Sequence, residues 1–176
     1  MREIILREDK PIIRPIKADD AKQWISLLKN LMNETDTMLY TINDRDFNVE
    51  RCREHIETLR NLNKSEILVL ETASGEIVGY LLGEIENLER KSHVMTIRGG
   101  VLKNFQIGYG RKLVNEMVEI AKSRFVKKIE VSILERNKVC INSCKKSGFQ
   151  YEGIKKCAVK VGDIYENECM FGMIIG

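Results

Sequence analysis

The chain has 176 residues, of which 43% are hydrophobic and 31% charged, and its net charge is +3. This length suits one domain, and a domain of this size buries roughly 70% of the surface of its unfolded chain, so it needs neither disulfides nor metals for stability. The balance of hydrophobic and charged residues excludes an intrinsically disordered chain. We therefore expect a single domain that covers residues 1–176.

Membrane and secretory functions are disfavoured. The longest apolar runs are far shorter than the roughly 20 residues that cross a bilayer, and residues 1–10 alternate charged and apolar side chains without a signal-peptide core. The five cysteines form no Cys-x-x-Cys pair, which favours the reducing cytoplasm. Cys140 and Cys144 share a predicted helix face, but His55 and His93 lie far away in sequence, so no metal site is predicted.

Charge is distributed unevenly along the sequence. Residues 101–176 contain 14 Lys and Arg against 8 Asp and Glu, whereas the first hundred residues contain 15 against 18. A basic half would suit a polyphosphate or a nucleic acid, and an acidic half would suit a cation. Solvated helix faces produce the same pattern. Because the basic half has no aromatic-rich basic strand, nucleic acid is disfavoured as a partner.

The first elements are predicted from the prolines and from apolar periodicity. Residues 11–16 contain both prolines and are predicted as an edge strand, because proline cannot donate to a strand ladder. Asp19 is predicted to cap the first helix. A polar, acidic loop at 33–48 precedes a second helix at about 49–62. The apolar stripe of the first helix consists of Trp24, Leu27, Leu28, Leu31 and Met32.

The rest of the chain alternates between strand and helix patterns. Gly99 and Gly100 lie inside a predicted strand, where glycine marks a bulge or a close approach of another backbone. The predicted strands are 66–72, 76–86, 93–102, 128–134 and 165–175, with a further β region opening at Gly148, and the predicted helices are 111–125 and 138–146. This order predicts a mixed α/β fold on one sheet.

A glycine-containing loop stands between the strand that ends near Leu102 and the helix that follows. Helix N-termini carry unpaired N–H groups and favour negative charge. Gly108 and Gly110 would let a diphosphate approach the backbone, and Arg111 adds positive charge. The segment lacks the third glycine of a dinucleotide fingerprint and the Gly-Lys-Ser/Thr of a P-loop. A tight glycine turn into a helix explains the pattern equally well.

Two further segments make the pattern more specific. The sequence NKVCINSCKKSGF covers residues 137–149, and GDIYENECM covers residues 162–170. With the Gly108 loop, these segments resemble the GNAT superfamily of acyl-CoA-dependent N-acetyltransferases, in its ribosomal-protein and small-molecule branch, over about residues 12–175. The resemblance implies an α+β GNAT fold, which is a mostly antiparallel sheet of six to seven strands, splayed between the fourth and fifth and flanked by about four helices.

The resemblance also implies acetyl-CoA as cosubstrate and no metal. Backbone N–H groups near Gly100 would bind the acetyl oxygen and the pantetheine amides. The loop is one residue shorter than the family pattern after Gln106, which puts the role of that side chain in doubt. Asn137 would lie beside the cofactor or serve as a helix N-cap. The implied cofactor-binding residues are Val101, Leu102, Lys103, Ile107, Gly108, Tyr109, Gly110, Arg111 and Asn137.

The catalytic residues are less well defined. The tyrosine that often acts as general acid in the family falls at Cys144. A thiol with an ordinary pKa near 8.5 would protonate a leaving thiolate more readily than a phenol would, although a cysteine also packs as a small hydrophobe. Glu84, Glu86 and His93 are candidates for the general base. A water relay is the alternative to all three.

The sequence therefore predicts an N-acetyltransferase that moves an acetyl group directly from acetyl-CoA to a primary amine in a ternary complex. The acceptor would be a small molecule or a protein N-terminus. In relatives the acidic loop faces the acceptor, so Glu34, Asp36, Asp44 and Asp46 would attract a cation. The oligomeric state is left open, a homodimer included. The alternatives are a degenerate GNAT domain that binds CoA without turnover and a small nucleic-acid-binding protein.

Overall fold

A computed structural model describes residues 10–176, so the prediction about the first nine residues lies outside it. Within that part of the chain, seven strands form one sheet in the order β1-β2-β3-β4-β5-β7-β6. The strands are β1 Ile12–Pro15, β2 Ser65–Glu71, β3 Ile77–Ile85, β4 Val94–Val101, β5 Lys128–Leu134, β6 Gln150–Val161 and β7 Ile164–Ile174. The helices are α1 Ala21–Glu34, α2 Val49–Asn61, α3 Tyr109–Ser123 and α4 Lys138–Lys146.

The sheet confirms the expected mixed fold and its splay. All neighbouring strands pair antiparallel except β4 and β5, which are parallel. Residues 94–96 of β4 pair with residues 128–130 of β5, and beyond Thr96 the two strands diverge. β5 pairs along its whole length with β7 on its other side. The diverging halves of β4 and β5 therefore face a gap.

Helices cover both faces of the sheet, because neighbouring side chains of a strand point to opposite faces and both sets are apolar here. On one face α1 and α2 pack against Ile67, Val69 and Tyr80. On the other face α3 and α4 pack against Leu68 and Leu81. Among residues 10–176, no helix is long and apolar enough to cross a membrane.

Gly99 meets a close approach of another backbone, which was one of the two predicted alternatives, whereas Gly100 faces the side chain of Leu31. β4 pairs with β3 in continuous register through both glycines, so the predicted bulge is wrong. A Cβ atom on Gly99 would lie 2.3 Å from the carbonyl oxygen of Tyr80 on β3. Glycine at position 99 therefore lets β3 and β4 approach closely where β4 has already left β5.

The predicted helix cap at Asp19 is wrong by one residue. The Asp19 side chain is 91% exposed and lies 3.5 Å from the guanidinium of Arg53. Asp20 instead accepts from the Lys17 backbone N–H at 2.7 Å and from two guanidinium nitrogens of Arg14 at 2.7 and 3.0 Å. Asp20 is 7% exposed and needs these donors, whereas water can solvate Asp19. Asp20 is the residue before α1, and its side chain makes no capping bond to the helix but ties the preceding turn to Arg14 of β1.

Replacing Asp20 with Asn should lower the free energy of unfolding by about 2 kcal/mol, because the Arg14 guanidinium loses a buried charged partner. Burial alone would raise the pKa of Asp20, but the hydrogen bonds from Arg14 and Lys17 and the Arg14 charge hold it below its ordinary value. The Asp20 contribution is therefore complete above about pH 5 and is lost as the pH falls through the lowered pKa.

Urea unfolding of both proteins at several pH values measures this difference. The matched control is Asp19→Asn, which should change stability by less than about 0.5 kcal/mol. Equal effects of the two substitutions, or a difference that does not shrink in acid, would contradict the assignment.

Candidate active site

The loop between β4 and α3 presents unpaired backbone N–H groups at the carboxyl end of β4. Gly108, with a φ of 80°, turns the chain into α3, which begins at Tyr109, two residues before its predicted start. The Lys112 N–H donates to the Gly108 carbonyl at 3.3 Å. The N–H groups of Tyr109, Gly110 and Arg111 precede this first helical hydrogen bond. They therefore point out of the helix end, where they can bind an anion.

Gly108 and Gly110 are glycines for different reasons. A side chain at Gly108 would be strained because its φ lies in the left-handed region. Gly110 lies within α3, and within residues 10–176 a Cβ atom there would meet nothing within 4 Å except its chain neighbours and the backbone of its own helix. The fold itself therefore has room for a side chain at position 110. A ligand bound close to the helix end would fill that space.

The charge around this helix end is positive, as expected from the sequence. Arg111 and Lys112 are exposed, and the Lys112 Nζ lies 4.6 Å from the centre of the Tyr109 ring. Ile107 is 94% exposed at the tip of the loop. Gln106 points back toward the strand, since its side-chain nitrogen donates to the Val101 carbonyl at 3.1 Å. Gln106 therefore holds the shortened loop in place.

The gap between β4 and β5 is lined by free backbone groups of β4. The Leu102 N–H donates to the Val78 carbonyl on β3 at 2.9 Å. Because donors alternate along an antiparallel strand, the N–H groups of Gly99 and Val101 point away from β3, into the gap. Neither N–H has a hydrogen-bond partner in the described part of the chain.

A short segment, which we call the 34–37 strap, joins the carboxyl ends of β4 and β5. On the β4 side, the backbone N–H of Lys103 donates to the Glu34 carboxylate at 2.9 Å. On the β5 side, the Asp36 carboxylate lies 2.9 Å from the Arg136 guanidinium. The strap therefore fixes the width of the gap, and the Lys103 amide, predicted to bind cofactor, is occupied by Glu34.

Asn137 connects the 34–37 strap with α4. Its side-chain oxygen accepts from the Cys140 N–H at 3.1 Å, so Asn137 is the N-cap of α4. Its side-chain nitrogen donates to the Thr37 hydroxyl at 3.2 Å. Of the two predicted alternatives for Asn137, the structure therefore contains the cap, and proximity to a cofactor stays a prediction.

The acidic loop does not present free carboxylates. Glu34 and Asp36 are bonded within the strap. Asp44 accepts from the Thr41 N–H at 2.8 Å and from its hydroxyl at 2.7 Å. Asp46 accepts from the Asn48 N–H at 2.9 Å and pairs with Arg51 at 2.8 Å. The lowered pKa values of Asp44 and Asp46 keep both side chains ionised, so the attraction of a cation to this loop stays a prediction.

A group of polar side chains lies on the face of the sheet that α1 and α2 cover. Arg98 on β4 pairs with Glu84 on β3 at 2.5 Å and donates to the Tyr40 hydroxyl at 3.0 Å. The Arg45 guanidinium lies 4.7 Å from the centre of the Tyr40 ring. We call Tyr40, Arg45, Glu84 and Arg98 the Arg98 group. Glu84 was predicted from the sequence, but the other three members were missed.

A cleft of about 460 Å³ lies beside the Arg98 group, between β2, β3, β4 and the end of α2. Glu84, Thr96 and Arg98 line it, together with Glu86 and Lys64. Small-molecule sites usually enclose roughly 300–1,000 Å³. The cleft therefore has the size of a site for a small acceptor, and it brings together the two predicted candidates Glu84 and Glu86.

Cys144 lies in the core between α4 and the sheet, with 7% of its surface exposed. Burial, assisted by the neighbouring Cys140 thiol, raises the pKa of Cys144 to about 12. At that pKa it is a weaker acid than an ordinary thiol. Burial therefore disfavours Cys144 as a proton donor and favours packing, and its role as general acid stays a prediction.

His93 is separate from the other candidates. It is exposed and precedes the first residue of β4, at the opposite end from the Gly108 loop. Its backbone carbonyl accepts from the Lys127 N–H at 2.8 Å. Between Lys10 and Gly176, no three His, Cys, Asp or Glu side chains are arranged to hold a metal ion.

Solved structures share this fold. An acetyltransferase of the GNAT family from Streptococcus pneumoniae has a TM-score of 0.87 at 18% identity, covering 94% of this chain and 100% of its own. The yncA protein of Salmonella typhimurium, solved with its cofactor acetyl-CoA, has a TM-score of 0.82 at 16% identity, covering 95% of each chain. A ribosomal-protein-alanine N-acetyltransferase from Brucella melitensis has a TM-score of 0.81 at 22% identity, covering 93% and 99%.

The sequence itself identifies the family. No curated protein matches the chain. A family model described as an acetyltransferase (GNAT) domain matches residues 13–170, which include β2 to β6 in full, β1 without its first residue and β7 up to Met170. The protein is thus an acyltransferase, and the chain belongs to the GNAT family of acetyltransferases.

Proposed function

We propose that the protein is an N-acetyltransferase that transfers an acetyl group from acetyl-CoA to a primary amine. The observation that carries the proposal is the free helix end at Tyr109–Arg111, with its open Gly110, at the mouth of the gap between β4 and β5. The acetyl-CoA in the yncA structure supports the choice of cosubstrate. A protein N-terminus is a second class of acceptor, since the Brucella enzyme is named for an alanine of a ribosomal protein.

The residues of the loop and of β4 would hold acetyl-CoA in two places. The N–H groups at the start of α3, with the charges of Arg111 and Lys112, suit its diphosphate. The N–H groups of Gly99 and Val101 suit the amides and the thioester oxygen of its extended arm. When bound, acetyl-CoA would supply the activated acetyl group. Leu102, Lys103, Ile107 and Asn137 flank this path, and their contacts with the cosubstrate stay predictions.

The two faces of the sheet separate the two substrates. α3 lies on one face and the Arg98 group on the other, and the gap between β4 and β5 connects them. A donor held at α3 therefore meets an acceptor in the cleft through the gap. This arrangement supports direct transfer in a ternary complex, because both substrates have room at the same time.

Glu84 is the candidate for the general base. Arg98 holds its Oε2, whereas its Oε1 has no hydrogen-bond partner within residues 10–176. We propose that this oxygen takes the proton of the attacking amine, directly or through water. The amine nitrogen bonds to the acetyl carbon, the carbon–sulfur bond breaks, and the thiolate takes a proton from water. Gly99 and Val101 would stabilise the carbonyl oxygen as negative charge develops on it.

Binding of CoA without turnover is the second candidate function. The burial of Cys144 favours it, because no acidic side chain then replaces the family's tyrosine. Release of free thiol from acetyl-CoA over a panel of amines distinguishes the two functions. Thiol release that depends on an amine supports the transferase, and tight CoA binding without release supports the binding protein.

We also propose that the protein works in the cytoplasm. All five cysteines carry free thiols, and Cys144 and Cys169 lie in the same core. A reducing compartment keeps such thiols from forming disulfides.

Gly110→Glu should weaken CoA binding more than about tenfold, because a carboxylate would occupy the position of the phosphates. Its stability should be equal to or greater than that of the wild type, since an acid in the first turn favours the helix and the site has room. Titration calorimetry and thermal unfolding measure both properties. Asn115→Glu, further along the exposed side of α3, is the control and should bind normally. Equal affinities of the two variants would refute the phosphate site.

Glu84→Gln should lower kcat by about 100-fold or more while leaving CoA affinity unchanged, because Gln still accepts from Arg98 but cannot take a proton. Steady-state kinetics with a saturating amine test this. Glu86→Gln, which removes the neighbouring charge of the same cleft, should keep kcat within about threefold. If Glu86→Gln has the larger effect, Glu84 is not the base.

Cys144→Ala should keep kcat within about threefold and leave the alkaline limb of the pH profile in place, because the thiol packs and does not donate a proton. The free energy of unfolding should fall by about 1 kcal/mol from the lost buried sulfur. Cys157→Ala is the exposed control for stability. A shifted alkaline limb in Cys144→Ala would restore the acid role.

A further inference from the structure

Arg45 on the α1 and α2 face is available to a ligand. The carboxylates of the acidic loop keep their negative charge while they accept hydrogen bonds or pair with other residues. Arg45 lies in the same loop but forms no ion pair with any residue from Lys10 to Gly176, and its Nε is buried without a hydrogen-bond partner there. Arg45 therefore has donors that a ligand on this face can use.

Arg45 and Arg98 both lie beside the Tyr40 ring. Their guanidinium groups are 4.7 and 5.8 Å from its centre. Both charges also act on the buried hydroxyl of Tyr80, because burial raises the pKa of Tyr80 and the charges of Arg45 and Arg98 oppose that rise. Arg98 pairs with Glu84, whereas Arg45 has no ion-pair partner among residues 10–176.

Arg98 adjoins the gap, because it directly precedes Gly99, whose N–H points into the gap, and one strand residue spans only about 3.4 Å. On the neighbouring strand Glu84 lies two residues from Leu82, the partner of Arg98, and on the same face. Arg98 pairs with Glu84 and shares the Tyr40 ring with Arg45. A small acceptor that lies over Arg98 would therefore have Glu84 on one side and Arg45 on the other.

We propose that the acceptor is a small amine that also carries a carboxylate, and that Arg45, with Arg98, binds this carboxylate. The inference rests on the proposed transferase function and specifies its substrate class. Arg presents its N–H donors in a planar fork that matches a carboxylate, and stacking on Tyr40 holds the fork in one orientation. The bound carboxylate then leaves the amine free to lie beside Glu84.

The same charges act against the other acceptors. A polyamine would bring several positive charges to two arginines, and like charges in a partly buried site repel. If the carboxylate of the acceptor is converted to an amide or ester, Arg45 has no anion to bind. The site should therefore prefer an amino acid over the corresponding amide as acceptor.

The experiment measures thiol release from acetyl-CoA with the wild-type protein and matched pairs of acceptors. The panel holds the twenty amino acids, the amide of each, ω-amino acids of three to six carbons with their amides, spermidine, and a peptide with a free N-terminus and an amidated C-terminus. We expect the best acceptor to carry a carboxylate and to exceed its own amide about tenfold or more in kcat/KM. An amide, spermidine or the amidated peptide as best acceptor would overturn the proposal.

The variant Arg45→Gln tests the residue itself. With the best carboxylate acceptor, KM should rise about tenfold or more, whereas kcat/KM for its amide and the Kd of acetyl-CoA should change less than twofold. Arg60→Gln, on the exposed side of α2, is the matched control and should leave all three values unchanged. Equal losses for acid and amide, or a weakened Kd, would overturn the role of Arg45.

The experiments distinguish failure of the proposed substrate class from failure of the proposed transferase function. If acetyl-CoA binds and an uncharged amine turns over best, the substrate class is wrong and the transferase stands. If calorimetry detects no acetyl-CoA binding, or no amine on the panel releases thiol, the proposed function fails and takes the substrate class with it.

Discussion

The divergence of β4 from β5 is the constraint on which the rest of the site depends. Parallel strands normally satisfy each other's backbone groups, but this pair stops after Thr96. The gap persists because each strand is held from its outer side, β4 by β3 and β5 by β7. The 34–37 strap then fixes both carboxyl ends through Glu34 and Asp36. Free N–H groups are costly only where they are buried without a partner, and a gap open to a ligand avoids that cost.

The order of elements and the position of the glycine loop could be predicted because their signals are local. Apolar periodicity, the two prolines and the Gly108 turn each act within a few residues. The start of α1 could not be predicted to the residue, since Asp19 and Asp20 are equally good caps by type and neither side chain caps the helix. Arg14 reaches Asp20 from β1 and makes it the buried one of the two. The bulge expected at Gly99 failed for a similar reason, because the close Tyr80 carbonyl belongs to another strand.

The chemistry of the site depended still more on distant contacts. Tyr40 and Arg98 are 58 residues apart, and no spacing rule connects them. The loop looks acidic in sequence, but two of its carboxylates bond to Arg136 and to the Lys103 N–H, contacts that no spacing rule predicts. Cys144 similarly looks like an acid by alignment with the family pattern, whereas burial determines its pKa. Residue types indicated where the site lies, and tertiary contacts decide which charges it presents.

The most direct test of the central claim, that acetyl-CoA binds across the gap from the end of α3, is an amide NMR titration of the labelled protein with CoA. We expect the N–H signals of Gly99, Val101 and residues 109–111 to shift together and to saturate at one affinity. Signals of β6, on the far side of β7, should stay in place. Saturable shifts that spare Gly99 and residues 109–111 would show that CoA binds elsewhere on the protein.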